Sequence, residues 1–544
     1  MQLRDLFNIQ INDSLINGFW NDRFKQGTVD AYIAIDCIFG NGKRIRVSTE
    51  PITLYDSANN PIEYEPLLME EPTISESYEW KGGTPSQRSF TVSLDARQIN
   101  PLGIVFGGDI LAGVAEISLI DIDVPYENRF VFMIGDMIGG LTFGAQQETI
   151  EFDISDPKLT MDRITPEYIA TEERIPTLPD NQKGQRYPLL LSRFAYVPCI
   201  RMTSNAYGTQ FLICIGHDFD VDEVYRNGVQ VLRTGNNLVN PYKWSVLKTK
   251  DEFGTSITVI DFEYSPLLEQ DEYTWQESDT VYAIVNSSRP NLSVVDTIES
   301  LLVNHTGFGT QGLDQVLLSR SKGKEPTYLN VNVCINGSGD NSVTTIEYIT
   351  STLLASFTMV QLAYSAQGIG PVFTDRRSQY TVLSLETQST LLYDRVSAFN
   401  ESSKENMFNV FTIQYDYDAM NDTYRKTIQR TSNNHNLCAI SESKIGRREL
   451  EPITSINVFD EQTASYIIDW YADHYTLPNY TVSYSGSPRL FFMLKVGDNI
   501  QLTDEKIGIT NVNATVFSIE YQRGQVILGL RLWILFDKVS GRLQ

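Results

Sequence analysis

Cysteine is scarce: five in 544 residues, with no Cys-x-x-Cys pair. Cys37, Cys199, Cys214, Cys334 and Cys438 are far apart and odd in number, which argues against a disulfide framework or a zinc ribbon. Reduced core thiols are expected, in a protein assembled in a cytoplasm. Histidine is scarcer still. His217, His305, His435 and His474 include no close pair and no HExxH, so they read as surface or capping residues. No uncharged apolar run reaches the ~18 residues that span a bilayer. The segment Met1-Gln-Leu-Arg-Asp-Leu-Phe-Asn-Ile-Gln10 lacks an apolar h-region and a small-residue cleavage site. A soluble chain without a secretory signal or stable membrane insertion is expected. Basic residues are also short: 43 Lys and Arg against 68 Asp and Glu, a net charge of −25. Tight nucleic-acid binding needs cations to replace phosphate counterions, so it is disfavoured. The same balance suits a surface along which a polyanion passes without sticking.

Catalytic motifs are missing too. There is no Gly-x-Ser-x-Gly elbow and no Gly-x4-Gly-Lys-Ser/Thr loop. Gly307-Phe-Gly309-Thr-Gln-Gly312 has the letters of a dinucleotide fingerprint, but a helical pattern precedes it where a strand is required. Asp218-Phe-Asp220-Val-Asp222-Glu223 aligns three carboxylates on one face of an extended segment. A calcium loop of the EF-hand type would want Gly and an acidic residue where Glu223 and Val229 stand, so an acidic strand edge is the better reading. The basic cluster Lys444-Ile-Gly-Arg-Arg448 sits before Glu449 and Glu451 and reads as a solvated loop. No catalytic, cofactor-binding or metal-ligating residue is expected.

What is present is β-structure. Aromatics make up 11%, with 28 Tyr and 26 Phe, and these suit pleated, half-buried surfaces. The length implies several domains. Residues 1–157 read as a β-barrel: Ser89–Leu94 and Thr149–Ser155 alternate, Arg129–Ile134 is an apolar run, and turns are expected at Gly107-Gly108 and Gly139-Gly140. Residues 158–186, with Pro166, Pro176 and Pro179, read as an extended connector. Residues 187–290 read as a β domain with strands near 211–215, 229–232, 256–260 and 280–285. Residues 291–373 are mixed α/β: helices over 293–304, capped by Ser293 or Asn291, and 345–357, with a strand over 328–335.

The last unit, 374–544, holds an amphipathic helix over 460–475, capped by Asp460 and expected to pack on its own barrel. Strands are expected near 494–500, 514–521 and 525–532. Gly135-Asp136-Met-Ile138 and Gly497-Asp498-Asn-Ile500 share one form, each fifteen residues before an alternating strand at Ile150 or Val512. That echo suggests a duplicated barrel. The fold class expected is mainly β with a small α+β part: two related β-barrels plus inserted β-rich and α/β domains.

Three stretches resemble the tail-hub (baseplate-hub) proteins of tailed bacteriophages: Arg186-Tyr-Pro-Leu-Leu-Leu191 through Val197-Pro-Cys-Ile200, residues 290–314 ending in Leu313-Asp314, and the 460–475 helix with Leu494–Leu502 and Val526–Leu532. The first departs from the family's pattern, which has a glycine near Ser192. The resemblance implies a non-enzymatic virion protein of the tail tip or baseplate. It implies a homotrimer in which two barrels per chain make a ring of six, joining a six-fold tail tube to a three-fold tip or spike. Implied partners are the tail tube or distal tail protein, tip, spike or fibre proteins, and the tape-measure protein, with DNA passing through the lumen unbound during genome ejection. The alternative is a β-rich receptor-binding or polysaccharide-cleaving tail protein, for which a repetitive β-helix would be expected and none is visible.

Overall fold

The computed structural model describes residues 14–27, 29–78, 89–95, 97, 113–143, 148–155, 162–203, 209–233, 243–263, 275–287, 292–338, 342–365, 367–375 and 381–533. The expected turn at Gly107-Gly108 and the alternative cap Asn291 lie outside them.

The fold is mainly β, with two barrel-like sheets. The first is antiparallel and six-stranded, in the order Arg44–Val47, Ala31–Ile38, Val114–Asp121, Phe130–Phe143, Thr149–Ser155, Ser89–Asp95. Alternation sets its faces: Ile33, Ile35 and Cys37 point into one core, while Tyr32 and Ala34 pack under the hairpin of Ile52–Tyr55 and Pro61–Tyr64. Gly139 and Gly140, expected in a turn, instead continue the Phe130–Phe143 strand. Its ladder with Thr149–Ser155 slips between Ile138 and Thr142, so the glycines serve an irregularity in the strand.

The second sheet runs Leu383–Glu386, Asn499–Asp504, Ile509–Gln522, Gln525–Leu532, Tyr480–Gly486, Leu392–Arg395, and Asn400–Glu401 also pairs with Tyr480–Gly486. An eighth strand, Ile74–Ser77, comes from the N-terminal region and pairs with Ile509–Gln522, Ser77 opposite Ser518. The expected strand over 494–500 begins only at Asn499; residues 489–493 are a short helix, and Gly497 follows in a turn.

One hydrophobic core serves both sheets. Phe130 and Phe132 of the first meet Phe491 and Phe492 of the short helix and Tyr521 of the second, with ring centroids 5.0 Å (Phe130–Phe492), 5.4 Å (Phe132–Phe491) and 5.2 Å (Phe132–Tyr521) apart. Trp20, on the helix Ser14–Gln26, is fully buried beside them. Each such ring buries roughly 150–250 Å2, so this seam contributes strongly to cohesion.

The two Gly-Asp-x-Ile motifs each lead into an antiparallel hairpin, where Ile138 faces Asp153 and Ile500 faces Ala514. Their glycines differ. Gly135 lies within a strand, where a Cβ would meet the Ser155 carbonyl oxygen at 2.3 Å. Gly497 has φ +82° in a turn.

Between the sheets in sequence, eight strands from Phe194–Pro198 to Val281–Ser287 form two four-stranded sheets around Phe211, Phe262 and Trp275. Segment 162–186 lies along them, burying Ala170, Ile175 and Leu178. A further core gathers the helices Val294–His305 and Glu461–Tyr475 with the strands Val360–Ser365, Gly368–Phe373 and Phe411–Asp418. Ser293 and Asp460 cap those helices as expected. The Glu461–Tyr475 helix does not pack on the large sheet. It lies on the three-stranded sheet of Thr423–Arg430, Phe411–Asp418 and Ile453–Thr454, which buries the apolar stripe of the helix together with Val360–Ser365 and Gly368–Phe373. The expected helix over 345–357 forms with a π turn at Tyr348–Leu353, where the Thr350 and Ser351 hydroxyls bond back to Ile346 O and Glu347 O. The strand expected over 328–335 is confined to Cys334–Ser338.

Candidate assembly edges and a buried charged junction

A sheet edge exposes a row of N–H and C=O groups, and proteins that stay monomeric blunt such edges with lysine or proline. The outer strand of the middle region, Lys243–Lys250, is blunted in this way: Lys243, Lys248 and Lys250 are all exposed along it. The large sheets differ. Leu383–Glu386 carries exposed Ser384 and Glu386 and no lysine; Leu392–Arg395 carries exposed Tyr393, Asp394 and Arg395 and no lysine, with Val396 just beyond it 53% exposed. On the six-stranded sheet, Arg44 and Arg46 of the edge strand turn their guanidiniums inward, each Nε donating to Asp36 at 2.7 and 2.9 Å. The opposite edge, Ser89–Asp95, is partly covered by Leu67 and Met69 through backbone bonds of 2.8 and 3.0 Å.

Where the donated strand meets the second sheet, six charged side chains converge. Ile74 and Glu76 share the inward face of their strand, and Glu76 is buried 3.7 Å from Lys495 Nζ. Lys495 also lies 3.8 Å from Asp314, which caps the helix Gln315–Lys324 by accepting from the Val316 and Leu317 N–H groups. That helix returns Arg320 to an ion pair with Asp498 and Lys324 to within 3.8 Å of it. Three cations thus face three carboxylates, satisfying the rule that buried charge must be matched. Burial pushes the Lys324 ammonium down to about 8, and burial raises the Asp498 carboxyl against the pull of Arg320 and Lys324. In the sequence Asp498 stands out through its Gly-Asp-x-Ile echo and Asp314 through the resemblance over 290–314. The signal for the rest was weak: a glutamate at an inward strand position and two basic residues late in a capped helix.

The other sequence candidates are scattered. Asp218 lies at the start of the strand Phe219–Arg226; Asp220 pairs with Lys248 at 3.4 Å, and Asp222 accepts from Asn286. Glu223 accepts from Tyr225. A helix does follow Gly307–Gly312, but it begins after Asp314, whose carboxylate occupies the N–H groups a pyrophosphate would need. Gly309 has φ +57°, and a Cβ on Gly312 would strike Phe308 at 2.8 Å, so these glycines make a turn. His217 Nε2 lies 2.7 Å from Thr249 O, His305 ends its helix with its pKa lowered by burial, His435 precedes the helix Asn436–Ile445, and His474 stacks on Trp470 at 3.9 Å. All five cysteines are free. Among the described residues no group of His, Cys, Asp or Glu is arranged to hold a metal ion, and no helix is long and apolar enough to cross a membrane.

No protein-family model and no curated protein matches the chain. Among solved structures it is similar to the tail protein from Neisseria meningitidis MC58, at 11% identity over 92% of this chain and 96% of that one, TM-score 0.38. It is also similar to the 43 kDa tail protein of prophage MuSo2 from Shewanella oneidensis (10%, 92% and 97%, TM-score 0.35). A third is the prophage tail protein gp18 from Listeria monocytogenes EGD-e (11%, 63% and 87%, TM-score 0.24). All three are tail proteins.

Proposed function

We propose that the chain is a structural, non-enzymatic tail-hub component of a tailed phage particle. In this reading 1–157 and 374–544 are two related tube domains, and 187–290 and 291–373 are insertions reached through 158–186. Three copies form a ring that joins the six-fold tail tube to a three-fold tip or spike and gives the genome a path outward. The observation that carries the reading is the pairing of two barrel-like sheets on one core while their outer strands stay free of exposed lysine. Such edges are satisfied when neighbouring copies close a ring. The sequence resemblance and the net charge of −25 agree with a conduit that does not retain DNA. Contacts with tube, tip, fibre and tape-measure proteins belong to the same proposal, as do assembly in a bacterial cytoplasm and residence in the virion.

Sedimentation and electron microscopy of the purified chain test it. A three-fold ring with a neutral or acidic lumen is expected. A monomer at all concentrations, a strongly basic lumen, or cleavage of host polysaccharide would overturn it.

A further inference from the structure

The helix Asn436–Ile445 is amphipathic in an unusual sense. Cys438 faces a core, yet Leu437, Ile440, Ser441 and Lys444, at i, i+3, i+4 and i+7, face a cleft of about 700 Å3. Leu477 and Tyr480 form part of the far wall. Leu437, Ile440 and Leu477 remain half-buried, so the cleft is apolar and open. Ser441 is fully buried, and among the described residues its Oγ has no hydrogen-bond partner. Thr476, also lining the cleft, satisfies its own hydroxyl on Ala472 O at 2.6 Å. A buried hydroxyl left without a partner forfeits a hydrogen bond that water would have given it, so an incoming polar group has something to gain there.

The rim adds a sign. Lys444 is exposed, as is Arg447 beyond Gly446, and among the described residues neither makes an ion pair. In a chain with 68 acidic against 43 basic residues, these two cations give the rim a positive sign opposite to that of the chain as a whole. Glu401, the carboxylate lining the cleft, already accepts from the Tyr480 hydroxyl at 3.3 Å.

We propose that this cleft receives a short acidic-apolar segment of a partner protein. An apolar side chain seats between Ile440 and Leu477, a hydrogen-bonding group meets Ser441 Oγ, and a carboxylate lies beside Lys444. The cleft is complete within one chain, so the proposal stands or falls apart from the ring.

Fluorescence anisotropy with short labelled peptides tests it on the full chain. One set carries a Leu, Phe or Trp anchor flanked by Glu; a second replaces Glu by Lys; a third replaces the anchor by Ser. The acidic-apolar set is expected to bind. The other two should bind about tenfold more weakly or worse, and Lys444→Glu should weaken the first set by about tenfold while favouring the second. Ser441→Ala, which leaves the apolar walls intact, should weaken binding several-fold. No binding by any set, equal binding by Glu and Lys sets, or indifference to Lys444→Glu would overturn the proposal. So would self-association of the chain that Lys444→Glu abolishes, since the occupant would then be a second copy.

Discussion

Lys324 donates its ammonium to the carbonyl oxygen of Gly497 at 2.5 Å, tying the end of a helix in the middle of the chain to a turn of the last sheet. The turn can present that carbonyl because Gly497 adopts φ +82°. A Cβ there would fall 2.1 Å from Val372 Cγ1.

Gly497→Ala should therefore lose about 2–4 kcal/mol, combining backbone strain with a collision inside a packed seam. Gly508→Ala is the matched control: φ is +73° but the surrounding space is open, so a loss of about 1 kcal/mol is expected. Urea denaturation of both variants separates the collision from the strain.

Arg129 and Glu116 form a buried pair, Nη2 to Oε2 at 2.8 Å, with the guanidinium 3.9 Å from the centre of the Tyr126 ring. Both side chains are almost wholly excluded from solvent. Removing one partner leaves the other charged and buried, so Glu116→Ala should cost about 3–5 kcal/mol. Replacing both by apolar residues should cost much less. A double-mutant cycle on chemical denaturation midpoints checks the difference.

Burial pushes the Glu325 carboxyl up from 4.5 to about 7, although Ser293 and the Val294 and Val295 N–H groups favour its ionised form. Between those values the folded chain holds a proton that the unfolded chain has released. Stability should thus fall as pH rises from 4.5 to about 7, by up to roughly 3 kcal/mol, with the loss complete above that window. Glu325→Gln should flatten this part of the profile, as measured by equilibrium unfolding across a pH series.

Tyr393→Lys and Ser384→Lys place lysines on the outer strands of the second sheet, where the side chains are exposed. The thermal midpoint should move by no more than a degree or two, since exposed substitutions cost within about 0.5 kcal/mol. Self-association should fall sharply. Unchanged oligomers in sedimentation velocity would remove these edges from the interface.

Legibility in the sequence followed the range of the interactions. The Asp460 and Ser293 caps, the alternation of Val526, Leu528, Leu530 and Leu532, and the 345–356 helix were readable because each depends on neighbours a few positions away. The strand expected at 494–500 was misplaced because Leu494 and Val496 are apolar for a tertiary reason: both sit in the shared core while their backbone turns. Gly139-Gly140 read as a turn because glycine favours both turns and strand irregularities. The helix at 461–475 was assigned to the wrong layer, since an apolar stripe reports that something covers it and not what. The charged junction was invisible for the same reason. Glu76, Asp314, Arg320, Lys324, Lys495 and Asp498 are ordinary charges until the chain is folded.

The strand Ile74–Ser77 sets an order of events. Its partner Ile509–Gln522 lies more than 400 residues further along the chain, so the two can pair only after that whole interval has been synthesised. Until then the strand's edge and the apolar faces of the first sheet have nothing to close them. Closure over so long a loop is slow and leaves the nascent chain prone to mispairing. Early release of an incomplete chain would yield a first sheet with an open seam, and chaperone demand during synthesis should be concentrated in that interval.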